Sequence, residues 1–127
     1  MAAILRDRGE ISRGRDGYFE SMEDWSPDEW RSEVELMTTM LRTNELFPFW
    51  SDLRRQLREL GIDPDQALVV ESYDEPPAGD QVGAVVAATG RVLAYRWASG
   101  EWSWDDLTDR WEDSDFADQV RVGLAML

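Results

Sequence analysis

The sequence predicts an α+β fold, a small antiparallel sheet of at least three strands, including a hairpin, packed against N-terminal and C-terminal helices. Three observations predict it. The run Ser26-Pro27-Asp28-Glu29 is a helix-start signal followed by apolar residues at helical spacing. After Asp63 the texture changes to short β-rich runs divided by turn residues, and after Gly100 capped, apolar-striped segments return. The order helix, helix, strand, hairpin, helix, helix places the helices on one face of the sheet, and 127 residues suit a single domain.

Residues 1–17 carry four Arg, three Gly and three acids, and fit a short strand over Ala3 to Ile11, a loose arm or a hairpin equally well. Tyr18, Phe19, Met22 and Trp25 then recur at the spacing of a short helix with one buried side. Ser26 can accept from the backbone near Glu29, Glu29 can reach back, and Pro27 stands at the first helical position, where no donor is needed. The helix that follows runs to about Arg42, with Trp30, Val34, Met37 and Leu41 on one stripe and Leu36 and Met40 widening it.

Pro48 restarts helical spacing after Thr43-Asn44. Trp50, Leu53, Leu57 and Leu60 form a second stripe, closed by Gly61 as a left-handed cap, so the two helices form an antiparallel hairpin. Arg54, Arg55 and Arg58 occupy its C-terminal half, where the helix dipole favours positive charge. Ala67 to Tyr73 is a buried strand, Asp74 to Asp80 a turn-rich loop, and Val82 to Ala88 and Arg91 to Ala98 a hairpin about Thr89-Gly90. Leu93, Tyr95 and Trp97 alternate along the second run, which gives the sheet an aromatic face.

Ser99-Gly100 ends the sheet region. Ser103 followed by Asp106 repeats the capping pattern and starts a third helix, with Trp104, Leu107 and Trp111 facing inward. Ser114 caps a last helix lined by Phe116, Val120, Gly123, Leu124 and Leu127. The final eight residues are compatible with strand as well, but length and the capping Ser favour helix.

Charge is the unusual feature. Twenty-seven acids face 13 basic residues, all Arg, for a net charge of −14. Lys, His and Cys are absent, which excludes disulfides, thiolate nucleophiles, His or Cys ligation of zinc or haem, Ser-His-Asp triads, the phosphate-binding lysine and Schiff-base chemistry. Such a charge repels nucleic acid and anionic membranes, and attracts basic proteins. The apolar start Met1 to Leu5 meets Arg6, Asp7 and Arg8 too soon for a signal peptide, and Val82 to Ala88 is too short to span a bilayer. The expected compartment is the cytoplasm.

The imbalance is localised. Residues 1–20 are neutral, whereas Glu101 to Asp118 holds eight acids and only Arg110. On a helix, Asp105, Asp109, Glu112 and Asp113 fall on one outward stripe, while Asp106 pairs with Arg110. Since Trp104 belongs to the inner stripe, Trp102 is the exposed indole, a candidate interface anchor. The partner-binding set is Glu101, Trp102, Asp105, Asp109, Glu112 and Asp113, joined by Asp74 and Glu75 of the loop. The plain alternative is a solvated helix face.

No catalytic residue, cofactor or metal is assigned. Adjacent acids such as Asp105 and Asp106 fix no separation suited to hydrolysis of a sugar. An EF-hand loop begun at Asp63 puts Leu68 at the glycine position and Asp74 at the bidentate glutamate position, so it fails. Glycine-rich phosphate loops are absent.

The GRVLAYRW strand followed by the acidic WSWDDLTDRW segment, on an acidic chain with scattered Trp, resembles the small immunity proteins that neutralise bacterial toxins. The resemblance is one of general character along the whole chain and carries over no residue role. It implies a non-enzymatic inhibitor that binds a basic protein, such as a nuclease-type toxin, and blocks its phosphate site. The alternatives are a housekeeping or scaffold protein whose acidity serves solubility and, less favoured, a carboxylate- or metal-dependent hydrolase.

Overall fold

The computed structural model describes residues 26–127. The strand, arm or hairpin considered for residues 1–17 and the short helix around Tyr18 to Trp25 lie outside the described residues. Helix α1 (Pro27–Thr43) and helix α2 (Pro48–Glu59) precede four strands, β1 (Ala67–Glu75), β2 (Asp80–Ala87), β3 (Val92–Ala98) and β4 (Glu101–Asp106), and helix α3 (Ala117–Met126) follows them. Single 3₁₀ turns stand at Pro64–Gln66 and Trp111–Asp113.

Helix α1 starts as its sequence dictates. Ser26 Oγ accepts from the Glu29 amide at 3.3 Å, and the Glu29 carboxylate accepts from the Ser26 amide at 2.7 Å. Trp30, Val34, Met37 and Leu41 are buried, and Thr38 is buried with them. Leu36, expected to widen the stripe, is 47% exposed, because the buried face turns toward Thr38 instead. Helix α2 buries Leu53 and Leu57 and ends as expected at Gly61, whose φ of 81° is left-handed. There Ile62 N–H reaches the Leu57 carbonyl at 2.8 Å.

The strands form one antiparallel sheet in the order β1-β2-β3-β4. The fourth strand corrects the sequence reading, which ended the sheet at Ser99-Gly100 and began a helix at Ser103. Ser99 (φ 55°) and Gly100 (φ 82°) instead make a two-residue hairpin turn, and β4 pairs along β3 from Ala98↔Glu101 to Leu93↔Asp106. The physical reason is the alternation in EWSWDD. As a strand it puts Trp102 and Trp104 on the same face beside Tyr95 and Trp97, and burial of two indoles outweighs a local capping pattern. Helical structure returns only as the 3₁₀ turn at Trp111 and as α3, which settles the final residues as helix to Met126. Leu127, expected on the inner side, is 49% exposed.

Residues alternate between two cores on opposite faces of the sheet. Val69, Val85, Ala87, Leu93 and Tyr95 pack with Met37, Leu41, Leu53 and Leu57. Val70, Ala84, Val86 and Val92 pack with Val34, Leu107 and Val120, with Phe116 and Leu124 alongside. The helices therefore cover both faces, not one. Each fully buried Leu or Val among them contributes about 1.5–3 kcal/mol relative to an exposed one. Helix α3 comes close enough that a Cβ on Gly123 would collide with Val70.

Helix α1 lies along the outer edge of β1 and supplies side chains to both cores. It also satisfies that edge. Thr38 Oγ1 accepts from the Val69 amide at 3.0 Å, and Arg42 Nη2 donates to the Ala67 carbonyl at 3.0 Å. Arg42 also reaches the carbonyls of Pro64 and Asp65, both at 3.2 Å. No helix among the described residues is long and apolar enough to cross a membrane.

Candidate functional site

The acidic residues singled out in the sequence do not converge on one stripe. Asp105, Asp109, Glu112 and Asp113 belong to β4, to the turn after it and to the 3₁₀ turn, so the helical spacing that aligned them is absent. Asp74 and Glu75 close β1 and Glu101 opens β4, at the same end of the sheet. Asp105 lies toward the other end, where Asp109, Glu112 and Asp113 follow. At about 3.3 Å per residue, β4 separates Glu101 from Asp105 by about 13 Å, and the other three acids follow after the end of the strand.

Several of the carboxylates already have partners. Glu75 and Asp80 hold Arg96 at 2.7 and 2.9 Å, and these ion pairs raise the pKa of the guanidinium, the hydrogen bond it donates to Glu75 most of all. Asp74 accepts from the Gln81 side chain. Asp105 pairs with Arg110, in place of the expected Asp106, because the strand turns alternate side chains to opposite faces. Asp106 accepts instead from Thr108 Oγ1 at 2.6 Å and the Thr108 amide at 2.9 Å, which holds its pKa below the usual range. Glu101, Asp109, Glu112 and Asp113 are exposed and make no ion pair among the described residues. No group of three carboxylates there is placed to hold a metal ion.

Trp102 is not the exposed indole that the sequence suggested. It is half-buried, stacked on Trp104 (centroids 6.0 Å apart, 12° between planes) and on Phe49 (5.6 Å, 22°). Its Nε1 is buried without a hydrogen-bond partner among the described residues, while Trp104 Nε1 donates to Gln56 Oε1 at 3.0 Å. Tyr95 packs against both indoles, and Phe49 also meets Trp50 edge-on at 4.9 Å. Helix α2 thus supports the underside of β4 with an aromatic layer. One face of β4 is a rigid apolar platform, and the other presents Glu101, Ser103 and Asp105 to solvent.

Two features escaped the sequence reading. The loop between α1 and α2 exposes Leu46 (84%) and Phe47 (59%), and it is held in place. Asn44 Oδ1 accepts from both of their amides at 3.0 Å. Buried Arg54 donates to the Leu41 and Asn44 carbonyls and pairs with Glu45 at 2.8 Å. The second feature is the outer edge of β4, which no strand of the described residues covers. Its signal was present in the small-residue pair Ser99-Gly100 and the strict alternation after it.

No protein-family model, characterised protein or solved structure matches the chain, so its function is read from this geometry.

Proposed function

We propose that this chain is a non-enzymatic acidic binding protein that recognises and inhibits a basic protein partner, in the manner of a cytoplasmic immunity protein. The observation that carries the reading is the set Glu101, Asp109, Glu112 and Asp113, exposed without counter-ions among the described residues, on and beyond a strand held rigid by the aromatic layer. Carboxylates left unneutralised at a fixed surface attract a basic partner over distance and orient its approach. A partner that uses arginines and lysines to hold phosphate offers the matching surface, and occupation of that surface blocks it.

The test is a triple charge reversal, Glu101→Arg with Asp109→Arg and Glu112→Arg, at exposed sites outside the core. A partner purified by capture on the native protein at low salt is then studied by stopped-flow association. The expected result is association slowed about tenfold or more at low salt, with a flattened salt dependence and an unchanged melting temperature. An unchanged rate and salt response would favour the solubility reading.

A further inference from the structure

The two edges of the sheet are treated differently. The outer edge of β1 is satisfied by Thr38 and Arg42 of α1, whereas no strand of the described residues pairs with the outer edge of β4. The backbone groups on that open edge follow from the hairpin. A two-residue turn makes Ala98 and Glu101 a hydrogen-bonded pair, so every second residue of β4 bonds to β3. Leu107 N–H donates to the Val92 carbonyl at 2.7 Å, which fixes the same parity at the far end. Glu101, Ser103 and Asp105 therefore spend their backbone groups on β3, while the N–H and C=O groups of Trp102, Trp104 and Asp106 point outward.

We infer that this edge takes up an extended basic segment of the partner as a fifth strand. The inference rests on the basic-partner reading and adds how the partner docks. A strand laid against β4 exchanges hydrogen bonds with Trp102, Trp104 and Asp106, and its directly opposed side chains share their face. Apolar residues opposite Trp102 and Trp104 extend the aromatic layer. Arginine or lysine at the alternate positions stands opposite Glu101 and Ser103, and opposite Asp105, which it shares with Arg110. The unlike charge of Glu101, which makes no ion pair among the described residues, stabilises pairing across the ladder. The segment recognised is thus one in which basic and apolar residues alternate. A second copy of this chain does not fit. Two antiparallel registers of paired β4 strands overlap most fully: one places Glu101 opposite Asp105 and the other sets the Asp106 carboxylate against Trp102, so neither favours self-association.

Short peptides alternating arginine with valine test this on the full chain. In one, the valine amides, which face β4, are N-methylated; in another, the arginine amides, which face away, are N-methylated; a third is unmodified. Charge and composition are the same in both methylated forms. Trp fluorescence titration is expected to show the unmodified and arginine-methylated peptides binding alike, and the valine-methylated peptide about tenfold weaker or more. Hydrogen exchange is expected to show new protection at the amides of Trp102, Trp104 and Asp106 with the first two only. Equal binding of the two methylated forms, or no new protection, overturns strand addition and leaves charge recognition standing. Failure of every peptide to bind also overturns it, and the charge-reversal kinetics above then decide the basic-partner reading on their own.

Discussion

The hydroxyl of Thr38 accepts the amide of Val69 at 3.0 Å, so a helix side chain completes the backbone of an edge strand inside the core. Both residues are buried, and water cannot replace the bond. Thr38→Val keeps the shape and removes the acceptor. It is expected to cost about 1–3 kcal/mol in urea unfolding, with Thr38→Ser recovering most of the loss.

Gly83 stands opposite Tyr95 in the β2–β3 ladder, and the phenol covers it. A Cβ there would stand inside contact distance of both the Tyr95 hydroxyl and the Glu71 backbone carbonyl. The carbonyl belongs to the ladder and cannot retreat. Gly83→Ala is expected to lose about 1–3 kcal/mol or more, read as a lowered urea midpoint.

Arg54 is 8% exposed, and its guanidinium ties the end of α1 to the loop that follows. Arg54→Met retains the stem and strands the Leu41 carbonyl, at an expected cost of about 2–3 kcal/mol. Arg54→Lys recovers only part, because one ammonium cannot span the fork of acceptors. Hydrogen exchange in residues 44–47 is expected to rise in both variants, since the loop loses its anchor.

The pH response has two limbs with opposite signs. Burial, reinforced by the charges of Glu71 and Glu75, pushes Tyr73 up to about 12, and burial raises Tyr95 as well. Both stay protonated in the fold where the unfolded chain ionises, so their contribution is complete below about pH 10 and is lost as pH rises through the folded values. Absorbance at tyrosinate wavelengths should rise late in the native protein, together with unfolding. Asp106 is lowered by its hydrogen bonds from Thr108, so its contribution is present above about pH 4 and lost as pH falls further. Thr108→Val is expected to flatten that acid limb in urea titrations.

Local signals settled a good part of this protein. Ser26-Pro27-Asp28-Glu29 specifies where α1 starts, Gly61 where α2 stops, and Thr89-Gly90 where β2 turns into β3, because capping and turn chemistry act within a few residues. The net charge and the absence of Lys, His and Cys bounded the chemistry for the same reason, being properties of composition. Only the tertiary structure decided between two local readings of Glu101 to Asp106. Ser103 and Asp106 fit a helix cap, but the free energy of burying Trp102 and Trp104 against Tyr95 and Phe49 depends on residues far away in sequence. That choice dispersed the expected carboxylate stripe and left in its place a strand edge that no strand of the described residues covers. Edges are a property of assembled sheets, and the sequence of a strand does not record which of its sides meets a neighbour.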